Sequence, residues 1–248
     1  MDVVYILWLR QLKRYFRSRS RMVGALGQPL LFLFALGYGF GSVFQKAGQG
    51  NYVQFLVPGI IAMTVLFTSM FNGIEIIWDR QFGFLKETLV APVPRFSIVI
   101  GRTLGGATIA VFQGLIVLLL SFLAGFRPEG LLGIPIAIGF MFLLSLVFTA
   151  LGTAIASVLQ DMQGFQPIMS LLVQPLFFLS GALFPLRGLP KVLGYITTVN
   201  PLSYGVDAVR GALLNVSHFS LGVDFLVLVI CAMVFTIIGI CLFEKIQV

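Results

Sequence analysis

The chain has 248 residues, of which 58% are hydrophobic and only 10% charged, whereas an average soluble domain carries roughly 25% charged residues. That much apolar surface excludes a soluble globular protein of this size. The formal charge of +7 then reads as cations held at one membrane face, not as a nucleic-acid surface. Cys231 and Cys241 share one apolar run, which excludes a disulfide-rich class.

Residues 2–20 predict an amphipathic helix. Tyr5, Trp8, Leu9, Leu12 and Phe16 follow helical spacing, and Arg10, Lys13, Arg14, Arg17 and Arg21 line another face. Such a helix lies in the lipid bilayer interface with its cations toward anionic headgroups, so Trp8, Arg10, Lys13, Arg14 and Arg17 are the expected membrane-interface residues. These cations precede the first long apolar run, so no cleavable signal peptide is expected.

Six spans are expected, near residues 23–44, 52–77, 96–124, 131–159, 165–184 and 221–243, with two short helices at 189–197 and 201–214 between the last two. Gly37 and Gly41, and Gly101 and Gly105, form small-xxx-small pairs that allow close helix approach. Polar residues inside the spans make Ser69, Asn72, Glu75, Gln113 and Gln174 candidates for lining a pathway. Glu75 is read as the spans' acid, near their inner end, with Arg80 in reach of it. Pro167 and Pro175 should bend the fifth span. With both termini cytoplasmic, eleven of the sixteen Lys and Arg residues fall on the inner side, which sets the orientation.

The densest mixture of charge and apolar residues after the N-terminus is the stretch 78–95, between the second and third spans. Asp79, Arg80, Lys86, Glu87 and Arg95 place it in water. Phe82, Leu85 and Leu89 share a face at helical spacing, and Pro92 and Pro94 end the helix. A short amphipathic helix in water wants either the bilayer surface or a protein groove.

Catalytic chemistry finds no support. His218 is the only histidine, and no HExxH, GxSxG or GxxxxGK[ST] pattern occurs. Energised work would need a partner chain or an ion gradient.

The motif Asp79-Arg80-Gln81-Phe82-Gly83-Phe84-Leu85-Lys86-Glu87-Thr88-Leu89, followed by Ala91-Pro92-Val93-Pro94-Arg95, resembles the cytoplasmic motif of type-2 ABC export permeases, in particular the daunorubicin-resistance type of drug-efflux permease. The segment 200–211, Asn-Pro-Leu-Ser-Tyr-Gly-Val-Asp-Ala-Val-Arg-Gly, is similar to that family's motif before the last span. One departure is Gln81, where the family usually has glutamate. The resemblance implies a single transmembrane domain over residues 1–248: an all-α integral membrane protein of six transmembrane helices. It has an N-terminal amphipathic interfacial connecting helix (1–21), a cytoplasmic coupling helix in loop 79–95, and short extracytoplasmic helices (185–221) before the last span.

It further implies a permease subunit without its own nucleotide site, sitting in the plasma or inner membrane. Two permease copies, expected as a homodimer, would join two ABC ATPase subunits that bind ATP and Mg, and would export a drug-like or lipid-like substrate. Arg80, Phe82, Gly83, Phe84, Leu85, Lys86, Glu87 and Leu89 would then couple to the ATPase, with Phe84 and Leu85 as apolar anchors, Arg80, Lys86 and Glu87 as rim, and Gly83 allowing close backbone approach. The alternatives are an exporter of lipid-linked polysaccharide and an ion-gradient-driven transporter or channel.

Overall fold

The computed structural model describes residues 2–46, 50–90, 93–185 and 191–246. The expected helix stop at Pro92, part of the polar turn at 45–51 and the start of the helix expected at 189–197 lie outside the described residues. Among the described residues every regular element is a helix.

Helices α1 (Asp2–Arg17) and α2 (Arg19–Leu31) are separated only by Ser18. Pro29 removes a backbone donor near the end of α2, and the chain widens into a π turn, Phe32–Leu36. Two short pieces follow, α3 (Gly37–Gly39) and α4 (Gly41–Lys46). The Asn51 side chain accepts from the Val53 N–H and starts α5 (Tyr52–Phe71). A turn at Asn72 and Gly73 separates α5 from α6 (Ile74–Gln81).

Gly83 takes a left-handed φ of +81° and leads into α7 (Phe84–Val90). The long α8 (Arg95–Leu123) and α9 (Gly133–Val158) come next. Asp161 caps α10 (Met162–Phe178) through the Gly164 N–H. Then come α11 (Lys191–Val199) and α12 (Pro201–Leu214), the latter started by Asn200 with proline at its first position. The last is α13 (Leu221–Glu244), capped by Ser220.

Five stretches among the described residues are long and apolar enough to cross a membrane: Arg19–Gly39, Tyr52–Gln81, Arg95–Leu123, Gly133–Val158 and Leu221–Glu244. The span expected at 165–184 differs. It is α10, of 17 residues, because the chain turns after Phe178 and Gly181 takes a φ of +75°. That length stands at the lower end of the roughly 17–25 residues a crossing needs.

Helices α5, α8 and α9 pack together at the centre. Helix α12 is wedged among α5, α9 and α13, and every residue from Leu202 to Leu214 is buried. Helix α1 runs along α8, while α2 and α10 lean on α5 at the edge of the bundle. One end of the bundle gathers the loops that carry arginine. Arg80 donates to the carbonyls of Ser157 and Leu159 (both 3.0 Å), closing the end of α9, and Arg95 donates to Glu244 (2.6 Å) at the end of α13.

Backbone contact sets the crossing of α5–α6 with α9. A Cβ on Gly73 would collide with the Gly152 carbonyl, and one on Gly152 would stand 2.5 Å from the Met70 carbonyl oxygen. In hydrocarbon, such close approach replaces the hydrophobic drive between helices. Gly152→Val should therefore lower the thermal unfolding midpoint of the purified protein by several degrees. Gly139→Val, on the same helix but with nothing within 4 Å, should leave it unchanged. Equal midpoints for the two variants would refute this account of the crossing.

Candidate functional site

The arginine-rich end holds a buried charge cluster built on α6. Glu75 and Asp79, four residues apart, share one face of that helix, and both are buried, 2% and 4% exposed. Asp79 accepts from Arg102 of α8 at 2.5 Å and from Arg10 and Arg14 of α1 at 3.5 and 3.4 Å. Glu75 accepts from Arg21 of α2 at 2.6 Å, and Arg21 also donates to Asn72 at 3.4 Å. Arg14 lies over the Trp78 ring, 5.4 Å from its centre. Arginines from three helices thus converge on two carboxylates of one short helix. A buried carboxylate is tolerable only with such partners, so α6 is tied to α1, α2 and α8 together.

This corrects two sequence expectations. Glu75 pairs with Arg21 and not with Arg80, which closes the end of α9. Arg10 and Arg14, expected to face headgroups alone, also reach Asp79 while their side chains stay 41% and 37% exposed, and Lys13 and Arg17 are exposed. Trp8 donates to the Thr108 hydroxyl at 3.0 Å, and Leu7 and Gln11 sit against Gly101 and Gly105. That glycine pair therefore seats α1 on α8 within the chain.

Helix α7 projects from this cluster. Leu85 is fully buried and roots it in the core. Phe82 (71% exposed), Phe84 (51%) and Val90 (85%) face outward, with Lys86 and Glu87 exposed beside them and Leu89 half-buried. Leu85 therefore cannot be a surface anchor, and the exposed apolar side chains here are Phe82, before the Gly83 turn, and Phe84 and Val90 on α7. Gly83 has nothing within 4 Å of a Cβ built on it. It makes the turn between α6 and α7, with open space beside it in the single chain.

The five polar residues expected along a pathway separate. Ser69, Asn72, Glu75 and Gln113 are buried inside the single chain. Gln113 donates to the Tyr15 hydroxyl and to the Met22 carbonyl, which fixes the α1–α2 bend onto α8. Only Gln174 is exposed, on the outer side of α10 with Gln166 and Ser170.

The opposite end is closed by α12. Arg210 donates to the carbonyls of Phe55 (3.3 Å) and Gly181 (3.1 Å) and stacks 4.1 Å over the Phe55 ring. Burial pushes its pKa down to about 10, with nearby Asp207 pulling it up, so it stays charged at neutral pH. Asp207 accepts from the backbone N–H groups of His218 (2.8 Å) and Phe219 (2.7 Å). Asp224, a further acid inside a span, in α13, is wholly buried, and its carboxylate oxygens have no hydrogen-bond partner among the described residues. Among the described residues no group of His, Cys, Asp or Glu could hold a metal ion.

The family described as "ABC-2 type transporter" matches residues 2–214. A "Putative transport permease ycf38" of Cyanophora paradoxa is 29% identical over 98% of this chain and 88% of its own length. A protein of the same description from Pyropia yezoensis is 30% identical over 81% of this chain and 70% of its own. "Nodulation protein J" of Rhizobium leguminosarum bv. trifolii is 27% identical over 85% and 78%.

Proposed function

The chain belongs to the ABC-2 type transporter family of multi-pass membrane permeases, and from that premise we propose that it is the permease subunit of an ATP-driven exporter of hydrophobic or amphipathic, drug-like or lipid-like molecules. The observation that carries this reading is the α6–α7 turn with α7: Phe82 before Gly83, and Phe84 and Val90 on α7, are exposed beside Lys86 and Glu87, while Leu85 anchors the helix to the core. An exposed aromatic pair at the start of a charged, water-facing helix suits a groove on a protein partner. That partner is an ABC ATPase, which would supply the ATP and Mg that this chain has no phosphate loop to bind.

In this reading α10 is a sixth span, both termini and α7 are cytoplasmic, and the membrane is the plasma or inner membrane. Two permease copies pair as a homodimer. Gln166, Ser170 and Gln174 point outward from α10, and in hydrocarbon they would lack partners unless a second copy covers them.

Co-purification tests the proposal. A tagged permease should bring down an ATP-hydrolysing subunit, and the pair in vesicles should move substrate only with ATP. An isolated permease with no ATPase under mild solubilisation would refute it. Topology is tested separately. Arg127→Cys and Lys86→Cys, both at exposed positions, should react with an impermeant thiol reagent from opposite sides of intact cells. Labelling of both from outside would contradict the orientation.

A further inference from the structure

A cavity of about 350 Å³ lies where the α1–α2 bend meets α5, walled by Ala25, Gln28, Met63, Thr64, Phe67 and Phe71. Its volume falls in the range of small-molecule sites, ~300–1,000 Å³. The walls are mainly apolar. Gly24, which also lines it, leaves the side open, since a Cβ built there meets nothing within 4 Å.

Arg21 also lines the cavity, and it is already neutralised by Glu75. Next to it in sequence, at the Ser18 bend, a second hollow of about 750 Å³ is lined by Lys13, Arg14, Arg17, Ser18, Arg19 and Ser20. Arg14 is engaged with Asp79. Lys13, Arg17 and Arg19 are exposed and make no ion pair among the described residues. An apolar slot and a patch of three unneutralised cations therefore share one bend of the chain.

We propose that the two hollows form a single binding site for an anionic amphiphile, a phosphate- or carboxylate-headed molecule with a lipid-like tail. The head sits among Lys13, Arg17 and Arg19, and the tail lies against Met63, Phe67 and Phe71. The site itself stands on its own geometry; only the identification of its occupant as cargo rests on the exporter reading. Cations at a membrane surface select the headgroup, each contributing about fivefold in affinity. Apolar burial holds the tail, and neither hollow alone selects for both properties.

The test uses purified permease in phosphatidylcholine nanodiscs, with fluorescent lysophosphatidic acid and lysophosphatidylcholine of the same chain length as probes. The anionic probe should bind at least tenfold more tightly, and millimolar inorganic phosphate should not displace it. The triple variant Lys13→Gln, Arg17→Gln, Arg19→Gln should lose at least tenfold for the anionic probe alone. Gly24→Leu, which fills open space, should weaken both probes at an unchanged unfolding midpoint.

Equal affinity for the two probes overturns the proposal. So does displacement by phosphate, which means a free-anion site. Loss with the triple variant but not with Gly24→Leu also overturns it, since that means attraction of headgroups around the protein without a seated tail. No ATPase takes part, so failure here is distinct from failure of the co-purification experiment.

Discussion

Phe82→Asp combined with Phe84→Asp should release the ATPase from the purified complex and abolish ATP-driven transport, with the permease still folded and inserted. Both side chains are exposed in the single chain, so the charges cost the permease little. In a docking groove each would meet a desolvated apolar wall, where removal of an aromatic anchor costs about 2 kcal/mol or more, about thirtyfold each. Lys86→Ala and Glu87→Ala, at the rim, should change association rate and salt dependence more than retention. Leu85→Asp is the contrasting variant: it buries a charge in the core and should destabilise the permease itself. If the doubly substituted protein keeps its ATPase and still exports, α7 is not the docking element.

Asp79→Ala should be the most damaging substitution of a charged residue in the chain. It leaves Arg102, 4% exposed, without its partner at 2.5 Å, and frees Arg10 and Arg14 as well. Removing one member of a buried pair costs about 3–5 kcal/mol because the other charge stays desolvated. Asp79→Ala with Arg102→Met should recover much of the lost unfolding midpoint, since both charges are then gone. Transport should remain impaired in the double variant, because α6, which carries α7, would no longer be tied to α1 and α8. Recovery of full coupled transport would show that the cluster serves folding alone.

The sequence made local signals legible and distant ones not. Asn200, Pro201 and the end at Leu214 placed α12 as expected, since a cap, a first-turn proline and a left-handed Asn215 are encoded within a few residues. The ends of α8 and α9 follow from Pro94 and from the polar turn around Asp161 for the same reason. The partner of Glu75 was hidden because Arg21 lies 54 residues away in the chain, and the nearer Arg80 was the natural choice. The orientation of α7 was hidden too. Its seven residues put Phe84 and Leu85 on adjoining faces, and only the core decides which faces inward. The small-xxx-small pair at Gly101 and Gly105 announced close packing correctly, but nothing in its spacing says that the visitor is α1 of the same chain.

The complete enclosure of α12 bears on biogenesis. This helix carries Asp207 and Arg210, is 14 residues long, and borrows its walls from α5, α9 and α13. It is too short and too polar to settle in the bilayer alone, and too apolar to rest in water. Its pocket is finished only when α13, which follows it in the chain, packs against it. A nascent chain halted at Ser220 would present an unclosed bundle with a homeless helix, a natural substrate for membrane quality-control proteases. The 24-residue α13 is thus the wall whose docking encloses α12, and a bundle without it would leave that helix uncovered.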